Sequence, residues 1–160
     1  DSNRYELPKP ILYKGGCNLS FAGLKTAVLK ITKEVKTEQD KYDLAASFQK
    51  TVEEILYQKS KVAFKEFKNF NNNIGNTFVV AGGVAANKKI REVLKNLCKE
   101  EKFNAIFPPI NLCGDNAAMI AMVGLEKFKL NQFNELDHPA NPRWPLDKNA
   151  IFLKGSGVRL

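Results

Sequence analysis

Two short apolar runs, each cut off by residues that break regular structure, constrain this chain most. Phe78-Val79-Val80 runs into Gly82-Gly83, and the stretch from Phe103 to Phe107 runs into Pro108-Pro109. Between them Ile90, Val93, Leu94 and Leu97 recur at helical spacing as far as about Lys99. After the second stop a helix is predicted from Asn116 to about Phe128. Strand, helix, strand, helix is an α/β layout with at least one parallel pair, because parallel strands need a crossover connection. A right-handed crossover sets both stops at the same carboxyl edge of the sheet. Gly82, Gly83, Asn87 and Asp115 are thereby drawn toward one crevice.

The rest of the chain reads as helix and loop. Residues 1–19 are rich in Pro and Gly and irregular. Ser20 is placed to cap a helix through Phe21, Leu24, Ala27, Val28 and Ile31 to about Lys36. Thr37 to Asp40 reads as a turn. A long amphipathic helix follows, with Leu44, Phe48, Val52, Ile55, Leu56, Val62, Ala63 and Phe67 on one face. Asn69 to Asn76 is a polar breaker. The strands are expected over 77–81 and 103–107, the first as a buried strand. The tail from Asn131, with its prolines and lone Trp144, is expected to pack as an extended segment. One lobe over residues 1–160, with 131–160 as its tail, is the expected organisation.

With 160 residues, the chain is long enough for a real hydrophobic core. Its net charge of +8 suits a polyanionic partner such as nucleic acid, although the lysines are spread along helices and serve equally as solvated faces. Cys17, Cys98 and Cys113 are odd in number and far apart, which argues against a disulfide framework and fits a reduced, cytosolic compartment. No apolar run approaches the ~18 residues of a membrane span, and no signal peptide is evident. The first residue is Asp1, and the leading ten resemble an interior loop, so a fragment of a longer protein is expected.

The glycine pair allows a flat base or a phosphate to lie against the main chain, and Asn87, in the first helical turn, can donate and accept toward it. The same pattern also fits a tight turn with no ligand. Asp115 stands at a helix start after Gly114, either as an N-cap or as a carboxylate facing a metal or phosphate. Ala117, Ala118 and Ala121 leave room for close packing around it. Ser20, Lys25 and Thr26 form a third candidate, for a phosphate at a helix N-terminus, against a plain capped helix with Phe21 and Leu24 in the core. The spacing is not that of a P-loop. His138 is the sole histidine and precedes Pro139 in the tail, so no nucleophilic triad is available, and nothing supplies Cys113 with a base.

Three motifs thus stand in order: Ser-Phe-Ala-Gly-Leu-Lys-Thr-Ala-Val at 20–28, Val-Ala-Gly-Gly-Val-Ala-Ala-Asn at 80–87, and Phe-Pro-Pro-Ile-Asn-Leu-Cys-Gly-Asp-Asn-Ala-Ala-Met-Ile-Ala at 107–121. Together they closely resemble the carboxyl-terminal half of the tRNA N6-adenosine threonylcarbamoyltransferase family, formerly called O-sialoglycoprotein endopeptidases. The Tyr5-to-Pro10 stretch and the Arg143-Trp144-Pro145-Leu146 tail resemble its bacterial and mitochondrial branch. Ala22 and Gly114 depart from the family, which commonly has Ser or Thr at the first position and Thr at the second.

The resemblance implies the carboxyl-terminal lobe of an actin, Hsp70 and sugar-kinase-like fold. It implies transfer of a threonylcarbamoyl group from threonylcarbamoyl-AMP to N6 of the adenosine beside the anticodon, in tRNAs reading codons that start with A. Gly82, Gly83 and Asn87 would then bind the adenylate. Asp115 would ligate one divalent metal ion, iron or zinc, which polarises the carbamoyl carbonyl. The remaining ligands, two histidines of the amino-terminal half, have no match in this chain, so the isolated chain is expected to be inactive. tRNA, threonylcarbamoyl-AMP and partner subunits of a tRNA-modification complex are the implied partners, with no membrane. The setting is cytoplasmic, or the mitochondrial matrix in a eukaryote. Two other readings stay open: a nucleotide-binding lobe of another protein of the same superfold, and a non-catalytic basic module that binds RNA or docks a partner.

Overall fold

A 33-residue helix, α2 (Glu38–Phe70), is the spine against which the strands and a shorter helix pack. At 1.5 Å per residue it runs about 50 Å. A computed structural model describes residues 1–70 and 75–140 of the chain. Contacts divide the chain into two compact units, Asp1–Asp115 and a second beginning at Asn116. The first holds α1 (Leu24–Ile31), α2, β1 (Thr77–Val79), α3 (Lys88–Glu100) and β2 (Asn104–Ile106). The second holds α4 (Ala117–Lys129).

The expected α/β layout is present. β1 and β2 are parallel, with Thr77 opposite Asn104, Phe78 opposite Ala105 and Val79 opposite Ile106. α3 lies between them in sequence, and the Val80 N–H extends the ladder to the Ile106 carbonyl at 3.0 Å. Both strands therefore end at the same edge, as the crossover argument required.

The core forms where one face of this sheet meets α2 and α3. Phe64, Ile90, Leu94, Leu97, Cys98 and Phe103 are buried together. The Phe64 ring stacks on Phe103 with centroids 4.0 Å apart and meets Phe78 edge-on at 4.8 Å. Period-2 alternation sends Phe78, Val80, Ala105 and Phe107 toward this cluster. It sends Val79 and Ile106 the other way, where they are 59% and 45% exposed. The first strand is thus half-buried, not buried: two strands of three residues present one covered face and one bare one. On α2, Leu44 and Ile55 are buried as the periodicity predicts, but Phe48, Val62 and Phe67 are exposed, and the core aromatic is Phe64.

The starts of α1 and α2 differ from expectation. Ser20 does not cap α1. Its Oγ accepts the Ala22 N–H at 3.2 Å, and the chain turns at Gly23, whose φ of 82° is a left-handed conformation suited to glycine. α1 is eight residues long as a result, and Phe21 lies on the surface while Leu24 is buried. Thr37 and Asp40, expected as a turn, cap α2 reciprocally. Thr37 Oγ1 accepts the Asp40 N–H at 3.1 Å, and Asp40 Oδ2 accepts the Thr37 N–H at 2.9 Å and the Lys36 N–H at 3.0 Å. The N–H groups of Lys36 and Thr37, with the Thr37 hydroxyl and Arg4, hold the Asp40 carboxyl at about 2, so it stays charged across the neutral range.

Lys59 is also not a solvated-face lysine. It is 3% exposed, and its ammonium donates to the carbonyls of Lys14 at 2.7 Å and Gly16 at 3.0 Å, tying the irregular leading segment to α2. In the second unit Asn116 caps α4, with Oδ1 accepting the Met119 N–H at 3.0 Å, and no residue of α4 is buried. Trp144, the Arg143–Leu146 stretch and the rest of 141–160 lie outside the described residues, as do 71–74 of the Asn-rich breaker.

Candidate functional site

The chain leaves β1 through Val80 and Ala81 and reaches Gly82 at φ 91° and ψ 170°, a conformation open essentially to glycine alone. Gly83–Ala86 then form a 3-10 turn that delivers Asn87 to the start of α3. A Cβ built on either glycine would meet nothing within 4 Å. Gly82 is thus required by its backbone. Gly83 has ordinary φ, and its bareness leaves open space at the main chain.

Asn87 is the N-cap of α3, one step before the first turn in which it was expected. Its Oδ1 accepts the N–H groups of Lys89 at 2.9 Å and Ile90 at 3.1 Å, and its Nδ2 donates to Gln49 Oε1 of α2 at 3.1 Å. An Asn amide has two N–H donors, so one is used here, while the oxygen serves the helix.

Gly83 and Asn87 line a cavity of about 1060 Å³ between α1, α2 and the glycine turn. Its walls are mainly apolar, with Phe48, Val52 and Leu56 among them, and Gln49 and Asn87 are among its few polar groups. An apolar hollow with a few fixed polar groups is the common form of a small-molecule site. Phe21 and Val28 join its wall, whereas Ser20, Lys25 and Thr26 do not.

The second loop leaves β2 through Phe107 and Pro108, makes a 3-10 turn at Ile110–Leu112 and buries Cys113. Asp115 is exposed and does not cap α4, because Asn116 takes the extended cap conformation at φ −150°. Asp115 is not among the residues lining the cavity beside Asn87. No group of three or more His, Cys, Asp or Glu side chains among the described residues is placed to hold a metal ion. The described residues therefore do not form a metal site by themselves; Asp115 offers one carboxylate. His138 lies outside any helix or strand, and its N–H donates to the Glu135 carbonyl at 3.2 Å.

The two loops are joined through a residue that sequence reasoning missed. Arg91, on the first turn of α3, donates from Nε to the Ala85 carbonyl of the glycine turn. Its Nη2 donates to the Pro108 carbonyl at 2.8 Å and to Cys113 Sγ at 2.9 Å. The available signal was position: side chains on a first turn lean back over the helix N-terminus, toward the strand ends. Gln49 had no such signal.

A family model described as TsaD, tRNA N6-adenosine threonylcarbamoyltransferase, matches residues 1–122. The chain belongs to the tRNA N6-adenosine threonylcarbamoyltransferase family. Within that family it is 81% identical over all 160 residues to the protein so named from Pelagibacter ubique (strain HTCC1062), and covers 45% of that protein. It is 45% identical to the one from Rickettsia massiliae (strain Mtu5) and 43% identical to one from Rickettsia bellii (strain OSU 85-389), in each case over 92% of this chain and 44% of the relative. The chain thus spans less than half the length of these threonylcarbamoyltransferases. The match includes both loops described above. No described helix is long and apolar enough to cross a membrane.

Proposed function

We propose that this chain is the carboxyl-terminal lobe of a two-lobe transferase with an actin, Hsp70 and sugar-kinase-like fold, which moves a threonylcarbamoyl group from threonylcarbamoyl-AMP to N6 of the adenosine beside the anticodon in tRNAs reading codons that start with A. The observation that carries the reading is the cavity beside the glycine turn, where bare main chain at Gly83 and the Asn87 amide face an apolar hollow. A purine is flat, apolar on its faces and polar at its edge. Apolar walls take the faces, and fixed amides take the edge. Gly82 contributes by holding the turn in the conformation that exposes Gly83. In the reaction the N6 nitrogen forms a bond to the carbamoyl carbon as the carbon–oxygen bond to phosphate breaks; AMP leaves with the electron pair, and N6 gives up one proton to solvent.

Asp115 contributes one carboxylate to a divalent metal, iron or zinc, whose other ligands lie outside the described residues. The excess of 25 basic over 17 acidic residues favours a tRNA substrate. Partner subunits of a tRNA-modification complex belong to the same reading, as does a cytoplasmic or mitochondrial-matrix setting. The 160-residue chain alone carries little or no transferase activity.

The test uses the full-length protein. Asn87→Asp keeps an oxygen for the two cap N–H groups but removes the amide donor. Binding of AMP, measured by calorimetry, and threonylcarbamoylation of tRNA, measured by mass spectrometry of nucleosides, should both fall while the melting temperature stays close to that of the parent. Unchanged AMP binding would sink the adenylate assignment. Retained tRNA binding by a full-length protein that never modifies tRNA would favour a basic RNA-binding module instead.

A further inference from the structure

The ladder between β1 and β2 ends at Val80 and Ile106, so the sheet itself does not fix the loops beyond it. Those loops carry the residues that the proposed function assigns to the two sides of one site. Arg91 touches both. Its Nε meets the Ala85 carbonyl inside the 3-10 turn between Gly82 and Asn87, and its Nη2 meets the first residue of the second loop and the buried Cys113 two residues before Asp115. The guanidinium also lies over the Phe107 ring, 5.2 Å from its centroid, just past the end of β2. The Arg91 N–H donates to the Asn87 carbonyl at 3.1 Å, so the backbone that carries the fork is anchored to the cap residue.

We propose that Arg91 is a positioning residue that clamps the Pro108–Asp115 loop to the Gly82–Asn87 turn and so fixes Asp115 relative to the adenylate side. The chemistry asks for arginine. The acceptors form two groups: the Ala85 carbonyl at Nε, and at Nη2 the Pro108 carbonyl and the Cys113 sulfur, which lie 3.8 Å from each other. A planar guanidinium presents separate donors to them at once, while a lysine ammonium offers a single point that reaches only part of the set. The proposal rests on the assignment of both loops to one site, but the clamp itself has readouts that do not depend on catalysis.

The experiment compares full-length parent, Arg91→Lys and Arg91→Met. Three measurements are made on each: alkylation of Cys113 by iodoacetamide, with Cys98 as internal control; amide exchange across 82–87 and 108–115; and kcat separately from KM for threonylcarbamoyl-AMP. In both variants Cys113 alkylation should rise severalfold with Cys98 unchanged, and faster exchange should be confined to the two loops. kcat should fall by about 100-fold, as misplacement of a reacting group by an ångström does, with KM much less affected. Parental Cys113 alkylation and loop exchange in either variant overturns the clamp. So does a rise at Cys98 that matches Cys113, which marks general unfolding. A full-length parent that never modifies tRNA, with variants that still loosen Cys113 and the loops, defeats the transferase reading and leaves the clamp standing.

Discussion

The glycine turn and the Pro108–Asp115 loop leave the same sheet edge, yet they hold their candidate side chains in opposite ways. Asn87 is fixed before any ligand arrives, by two N–H groups of its own helix and by Gln49 of α2. Asp115 is exposed, and the fixed point of its loop is Cys113, two residues earlier. The first loop is a finished wall of a cavity. The second is secured at its stem and leaves its carboxylate to be oriented by something else. A pre-organised side chain contributes to stability as well as to binding, whereas an exposed one contributes to binding alone, and mutations separate the two cases.

The largest effect on stability is expected at Gly82. Gly82→Val forces a β-branched residue into φ 91° and should cost about 1–3 kcal/mol in chemical denaturation. Gly83→Ala, which has ordinary φ and open space, should stay within about 0.5 kcal/mol of the parent and still weaken AMP binding. A Gly82 variant as stable as the parent would mean that the turn relaxes readily. Next comes Asn87→Ala, which removes the cap of α3 and should lose about 1 kcal/mol together with AMP binding. If stability is untouched, the cap is not what holds Asn87 in place. Asp115→Asn, like Gly83→Ala, is expected to stay within about 0.5 kcal/mol, here because the side chain is exposed. Metal content of the full-length protein, read by elemental analysis, should nevertheless drop. Metal and tRNA modification both at parental level would remove Asp115 from the ligand set.

The parallel pair was legible because its signals are strong and local: apolar runs, a glycine pair, a proline pair and one helical repeat between them. That layout drew Gly82, Gly83, Asn87 and Asp115 toward one crevice; Gly83 and Asn87 line the cavity, and Gly82 and Asp115 do not. What escaped the sequence was set by backbone conformation or by distance along the chain. Ser20 fits the composition of an N-cap, but the left-handed turn at Gly23 moved the helix start past it. Val79 belongs to an apolar run, yet a strand of three residues in a two-stranded sheet leaves alternate residues bare. Arg91 carries no motif of its own, and its acceptors lie 6, 17 and 22 residues away. Reading lysines as surface charge likewise hid Lys59, whose burial depends on carbonyls more than 40 residues upstream.

That buried ammonium has a practical use. Amine-reactive reagents reach the exposed Lys61 and Lys65 directly, whereas Lys59 accepts them only after the Lys14 and Gly16 carbonyls let go. Its labelling rate relative to those two neighbours is a clock for the lifting of the leading segment from α2, and reports the free energy of that local opening without unfolding the rest. A Lys59 that reacts as fast as Lys61 would show that the segment detaches freely.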